Sequence, residues 1–263
     1  MKNILSHKWG IAFRVLPWAV GVILLKLVLH QLGIEPLSLS PLFNSLIAAN
    51  VFLLGFLLSG TLTDYKESER LPGELASSIE TIQDEFIITH KNKNTKVTKD
   101  ALLYLADFSS SLIAWFRKKE RTTTILNKLT KFNDYFLEFE KLTQPNFIVR
   151  LKQEQHVLRR TIHRIHHIRE VEFVAVGYAV AEITSTLLII GFLFAKIDPF
   201  YESLFFVGIV TFLMLYMIAL IKELDNPFEH YSDKYDAVIV SLKPLQDLQR
   251  RLGKEIGELT RKN

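Results

Sequence analysis

No cysteine occurs in the 263 residues, so disulfides, thiolate nucleophiles and cysteine-built zinc or iron–sulfur centres are all excluded. Glycine is scarce in the middle of the chain, where Gly73 stands alone between Thr63 and Glu172. No glycine-rich phosphate loop, Gly-x-Ser-x-Gly elbow or paired-carboxylate motif is present, and with those templates missing the chain reads as a non-enzyme. Charge of one sign is lacking as well. The 32 Lys and Arg are interspersed with 28 Asp and Glu, for a net charge of only +4, which leaves no compact basic footprint for nucleic acid.

Long apolar runs are what the chain has. Val15–Leu32, Leu42–Leu62, Phe173–Ala195 and Leu204–Ile221 each approach the ~20 residues that a helix needs to cross a hydrocarbon core about 30 Å thick. They form two hairpins at the ends of the sequence, around a charged block at 63–172. The first run is too long for a signal-peptide core and is followed at once by a second, so it reads as a retained span. Lys and Arg near span ends stay cytoplasmic. Lys2, Lys8 and Arg14 precede the first span without an acid, the turn from Gly33 to Pro41 has no base, and the turn from Lys196 to Glu202 has one base against two acids. Both termini and the middle block are expected on the cytoplasmic side of an integral, multi-pass membrane protein. The division expected is 1–62 (leader and first hairpin), 63–172 (helical block), 173–222 (second hairpin) and 223–263 (motif and tail helix).

The block is expected to be helical throughout. Asp64–Ile88 places Leu71, Leu75, Ile79, Ile82 and Phe86 on one face, with Pro72 kinking it or starting a new segment. A loop follows at His90–Lys96, and Thr98 is placed as the cap of a helix Lys99–Lys119 that buries Leu102, Leu105, Phe108, Leu112 and Trp115. Thr122–Leu142 repeats the pattern with Ile125, Leu129, Phe132, Phe136 and Phe139. From Asn146 the stripe Phe147, Leu151, Leu158, Ile162, Ile165, Val171 predicts one helix continuing into the third span. A tail helix is predicted over Asp233–Leu259, bent at Pro244. Such striped helices form a bundle, and the fold class expected is all-α with four spans.

The second span has no ionisable residue but carries Asn50 and several hydroxyls. At heptad spacing one of its faces collects Ser45, Ala49, Phe52, Phe56, Ser59 and Thr63, polar at both ends and aromatic in the middle. Such a face can line a pore with a hydrophobic constriction, and it can equally be ordinary helix packing. Glu182 lies inside the third span, where a carboxylate marks either an ion path or a structural hydrogen bond to Tyr178, Lys26 or the backbone. Lys26 and His30 are expected to snorkel to the interface. His163 and His167 have a metal-like spacing, but Arg159, Arg160, Arg164 and Arg169 would repel a cation. A basic face toward anionic lipid or permeating anions accounts for them better. Glu67, Glu69 and Glu74 beside Lys66 and Arg70 read as a salt-bridged helix surface.

After the fourth span stands Ile221-Lys-Glu-Leu-Asp-Asn-Pro-Phe228, and here the chain resembles the bestrophin family of ion channels, whose last membrane helix is followed by an acidic residue and Asn-Pro-Phe. Arg14-Val-Leu-Pro17 is similar to the opening of the first span in bacterial bestrophins. Leu54-Gly55-Phe56, Glu67 and Leu71-x-Gly73-Glu-Leu75 match weakly. The arginine- and aspartate-containing run that ends the family's second span is replaced by Leu57-Leu-Ser-Gly-Thr-Leu-Thr-Asp-Tyr65, which points to a distant branch. The family's calcium-binding aspartate run shrinks to Glu229, Asp233 and Asp236, too few oxygen ligands to carry calcium regulation or any other cofactor over.

The resemblance implies a homopentamer around one axial pore for small inorganic anions, chloride above all. The second span would line it, the helical block would form a cytoplasmic vestibule, and the neck would fall at Ala48, Ala49, Phe52 and Phe56. Glu223, Asp225, Asn226, Pro227 and Phe228 would couple membrane to cytoplasm. The expected partners are further copies of the chain and membrane lipid. The rival reading is a non-conducting scaffold or signalling subunit whose helices bind a partner.

Overall fold

The apolar runs and the striped block both fold as helices. The computed structural model describes residues 2–170, 175–225, 227–228 and 239–261. In chain order it shows α1 (Lys2–Gln31), β1 (Leu37–Ser38), α2 (Pro41–Lys93), α3 (Lys96–Phe116), α4 (Thr122–Glu140), α5 (Pro145–Glu170), α6 (Ala175–Phe194), β2 (Ala195–Lys196), α7 (Phe200–Asp225) and α8 (Lys243–Arg261). The strands are one short parallel bridge, Leu37 against Ala195 and Ser38 against Lys196, in an otherwise all-α chain. Four helices, α1, α2, α6 and α7, are long and apolar enough to cross a membrane, and the protein is an integral membrane protein.

The chain divides into two units, with the boundary in α2 after Tyr65. The first unit holds α1, the start of α2, α6 and α7. Its core is Leu54, Leu57, Ala181, Leu188, Phe192, Val207, Met214 and Ile221. Small residues set the helix spacing: a Cβ on Gly208 of α7 would come within 2.7 Å of Ile23 on α1, and one on Gly191 of α6 within 2.6 Å of the Phe43 ring on α2. Because Gly191 has no side chain, Phe43 reaches Phe192 edge-on at 5.1 Å.

The second unit holds the rest of α2 with α3, α4, α5 and α8. The stripes read from the sequence are its core: Leu75, Ile79, Ile82 and Phe86 of α2, Leu105, Phe108 and Leu112 of α3, and Ile125, Leu129 and Phe132 of α4 are fully buried. Phe132 stands at the centre of an aromatic cluster, 5.0 Å from Tyr104 and 5.3 Å from Phe108. Helix α8 closes the group by laying Leu245, Leu248 and Leu252 inward.

Several expectations are corrected. Pro72 begins no new segment, because α2 runs through it from the first span to Lys93. One lost backbone bond is outweighed where Leu71 and Leu75 on either side are buried. The loop at His90–Lys96 shrinks to Asn94 and Thr95. Thr95 occupies the N-cap of α3 without a side-chain capping bond, its hydroxyl donating to the Thr98 hydroxyl at 3.4 Å, while Thr98 sits inside the first turn, buried, with its own hydroxyl on the Thr95 carbonyl at 2.7 Å. Helix α8 begins at Lys243, so Pro244 falls in the first turn, where its missing N–H costs nothing, and does not bend the helix. The proposed continuation of α5 into the third span at Val171 lies outside the described residues.

Several cations of α5 are engaged within the bundle. Arg164 grips Glu67 with a two-pronged hydrogen bond, at 2.8 and 2.5 Å. Arg169 lies over the Trp115 ring, and Arg159 donates to Thr130. Glu67 is therefore tied across helices, and only Arg70 and Glu74 keep the expected pairing along α2, at 3.8 Å.

Candidate functional site

Within the first unit α2 has two unlike faces. Phe43, Ile47, Asn50, Leu54, Leu57 and Thr61, spaced three and four apart, turn inward or are half-buried. Ser45, Ala48, Ala49, Phe52, Phe56, Ser59 and Thr63 all lie on the opposite, exposed face. Phe52 is 77% exposed and Phe56 61%, although each is a large apolar ring. Elsewhere in this unit the exposed faces are mainly apolar, with Leu16, Val20 and Leu24 on α1, Val180, Ile183 and Leu187 on α6, and Phe205, Ile209 and Leu213 on α7, although Thr186 of α6 is exposed among them. Among the described residues, α2 is the helix of this unit that interleaves exposed phenylalanine rings with serine, threonine and alanine. The Ser45 and Thr63 hydroxyls donate to the Pro41 and Ser59 carbonyls of their own helix, each at 2.9 Å. Their oxygens therefore turn acceptor lone pairs outward. A Cβ on Gly55, on the same face, would touch nothing.

Asn50 anchors the opposite face. Its amide donates to Ser185 at 2.9 Å, and its carbonyl oxygen accepts from Thr184 at 2.6 Å. An amide on an apolar helix is costly unless paired, and these hydroxyls on α6 fix the rotation of α2 about its axis. That rotation is what turns Phe52 and Phe56 outward.

Two ionic clusters brace the unit at opposite ends. At the end of the short turns, Lys26 is fully buried, which overturns its expected snorkelling. Its Nζ meets Glu35 at 2.6 Å and donates to the carbonyls of Leu193 and Ala195, where α6 ends. Those carbonyls have no helical partner of their own, so the ammonium satisfies them and is satisfied in turn. His30 does not snorkel freely either: Nδ1 meets the other Glu35 oxygen at 2.9 Å, and the ring stacks on Phe200 at 3.6 Å. Burial pushes the Glu35 carboxyl up, but hydrogen bonds and charge from Lys26 and His30 outweigh it and hold the group below the usual carboxylate range.

At the other end Glu182 forms an ion pair with Lys222 of α7, in place of the expected Tyr178 or Lys26. Lys26 is committed to Glu35, and Tyr178 donates instead to Asp225 at 2.5 Å. Glu223 accepts from Arg14 of α1 at 2.8 Å. The motif after the fourth span thus spends Glu223 and Asp225 on bracing the first unit. Pro227 is buried, and Phe228, which already belongs to the second unit, is fully buried within it 5.7 Å from Phe116. Asn226, Glu229, Asp233 and Asp236 lie outside the described residues.

Sequence reasoning missed Glu35, Lys222, Thr184 and Ser185 as partners. For Glu35 a signal existed: a lysine inside a span needs an acid within reach, and Glu35 is the one acid in the turn that follows.

No protein-family model matches the chain, and no curated protein matches it. Solved structures do. A crystal structure of a membrane protein variant superposes with a TM-score of 0.75 at 19% identity, covering 94% of this chain and 99% of that one. A mutant bacterial bestrophin homologue from Klebsiella pneumoniae gives 0.71 at 18% identity, covering 98% and 100%. A further structure of the Klebsiella pneumoniae homologue gives 0.73 at 18%, covering 94% and 98%. Over nearly its whole length the chain has the bestrophin fold.

Proposed function

We propose that this chain is the subunit of a passive ion channel with a preference for anions. Copies of α2 surround a central path, Phe52 and Phe56 with Ala48 and Ala49 form its neck, and Ser45, Ser59 and Thr63 line its polar ends. The observation that carries this reading is the exposed face of α2. Two phenylalanines stand out between hydroxyls there, on a helix whose other side is pinned by Asn50. A face turned to lipid gains nothing from serine and threonine, whereas one turned to water tolerates them. A stripe with heptad spacing is the pattern carried by helices that wind about a common axis, and the fold shared with bestrophin homologues favours the same arrangement.

The neck would work by excluding water. Rings at two successive turns make a narrow apolar constriction that dewets when closed. Ring edges carry partial positive charge, so rings presented edge-on tolerate an anion that has shed part of its hydration better than a cation. The charge asymmetry of the loops supports cytoplasmic termini and a cytoplasmic second unit, with the segment Glu223–Phe228 coupling that unit to the path. Association as a pentamer follows from the resemblance.

Purified protein in liposomes is expected to pass chloride, with Phe52→Ala combined with Phe56→Ala raising the flux. Tight vesicles containing a correctly assembled oligomer would refute the channel and favour a scaffold. Flux that ignores both substitutions would move the neck elsewhere.

A further inference from the structure

A cleft in the second unit has no part in the proposed path. It opens between the last turns of α3 and the start of α8, with a volume of about 640 Å³. Its polar lining is Ser110, Arg117, Lys119, Gln246, Gln249 and Arg250, and no carboxylate is among its walls. Arg117 and Lys119 make no side-chain hydrogen bond or ion pair among the described residues. Arg250 has only an exposed contact with Asp247 at 3.5 Å, and the nearby Glu120 is drawn toward Lys128. Gln249 donates to Ser110 at 2.8 Å, which ties the two helices together beside the cations.

Basic residues at a helix C-terminus often do no more than complement its partial negative charge. That accounts for Arg117 and Lys119 singly. It does not account for Arg250, which comes from another helix, or for the amide and hydroxyl groups gathered between the cations. The backbone of the α3 terminus adds to the contrast. Lys118 occupies the left-handed region with φ 54°, while the Lys118 and Lys119 amides bond back to the carbonyls of Trp115 and Ala114. Glycine is the usual residue at that position of the capping motif, and the chain keeps a lysine there at a cost in backbone strain.

Cations from two helices, neutral donors between them and a volume in the small-molecule range define the chemistry of an occupant. It must be anionic at more than one point, larger than a halide and rich in acceptor oxygens. We propose that this cleft binds a phosphate ester carrying more than one phosphoryl group, held by Arg117, Lys119 and Arg250. Guanidinium groups grip phosphoryl oxygens in pairs, and the lysine adds a point charge. The same chemistry belongs to a soluble polyphosphate ester and to a phosphoinositide headgroup. The proposal is independent of what the first unit conducts.

The test uses the full chain. Inositol hexakisphosphate is titrated by calorimetry into detergent-solubilised protein, and phosphoinositide retention is measured in nanodiscs of phosphatidylcholine with and without phosphatidylinositol bisphosphate. Binding of the soluble probe assigns a free ester, and retention in nanodiscs alone assigns the lipid headgroup. In either arm Arg117→Gln with Lys119→Gln and Arg250→Gln is expected to weaken binding about a hundredfold. A control removing the same charge from exposed positions elsewhere, Lys91→Gln with Lys93→Gln and Arg160→Gln, should leave it within about threefold. Gel filtration establishes that both variants assemble. Absence of binding in both arms overturns the proposal, as does an equal loss in the control, which would reduce the effect to net charge.

Discussion

Replacing Lys26 by methionine removes a cation that is completely buried in the first unit. The side chain keeps its length and apolar stem, so the perturbation is electrostatic. Glu35, whose side chain is only 8% exposed, loses its closest partner, and the carbonyls of Leu193 and Ala195 lose their donor. Breaking one side of a buried ion pair costs about 3–5 kcal/mol, which for a chain of this size lowers Tm by about 6–20 °C. Glu35→Gln removes the charge from the other side. In the double variant neither charge is stranded, so the two losses should fall short of their sum by about 1–3 kcal/mol. The pH dependence has a fixed sign. Glu35 is held below its unfolded pKa, so its contribution is present above the unfolded value and is lost as pH falls through the folded one. Without Lys26 only His30 opposes burial, the Glu35 pKa rises, and the variant sheds its stranded charge at a higher pH. The gap between wild type and Lys26→Met should therefore be wide at neutral pH and narrow toward acid. Thermal unfolding in detergent, followed by tryptophan fluorescence across that range, measures it. Losses that add within about 0.5 kcal/mol, or a gap independent of pH, would refute the reasoning.

Asn50→Leu should cost about 1 kcal/mol, because interhelical hydrogen bonds in membranes are modest and Thr184 can fall back on the Val180 carbonyl; a thermal shift of a few degrees checks it. The same variant frees the rotation of α2, so chloride flux should change even where stability hardly does. Gly191→Ala drives a Cβ into the Phe43 ring and should cost about 1–3 kcal/mol in thermal unfolding, whereas Gly55→Ala meets nothing inside the subunit and should leave its unfolding unchanged. Lys118→Gly relieves a left-handed backbone and should stabilise the second unit by about 1 kcal/mol, read as a higher midpoint in the same assay.

The parts of the fold decided by periodicity were legible. Leu75, Ile79 and Phe86, or Ile125, Leu129 and Phe132, declare a buried face by spacing alone, and the structure buries them. The same rule placed Ser45, Phe52, Phe56 and Thr63 on one face of α2. Partner choice was not legible, because an ion pair depends on where two distant segments meet. Nothing near Glu182 names Lys222, forty residues later, and nothing near Glu67 names Arg164. Proline positions misled in both directions. The cost at Pro72 depends on packing that spacing does not quantify, and the cost at Pro244 vanishes once the helix starts one residue before it. The contacts of Phe52 and Phe56 beyond their own subunit are a property of the assembly, and one copy of the sequence does not carry it.

The Lys26 cage also sets an order of events during synthesis. Glu35 emerges nine residues after Lys26, so the ion pair can form as soon as the first hairpin exists. The Leu193 and Ala195 carbonyls follow 167 and 169 residues after Lys26. At about 5–20 residues per second that interval is roughly 8–34 s. Throughout it the ammonium has one of its three final ligands and must keep the rest of its hydration, so the first hairpin cannot settle fully into hydrocarbon before the second arrives. The buried lysine thereby acts as a timing device in biogenesis: it leaves the hairpins competent to find each other and closes only when the third span has been made.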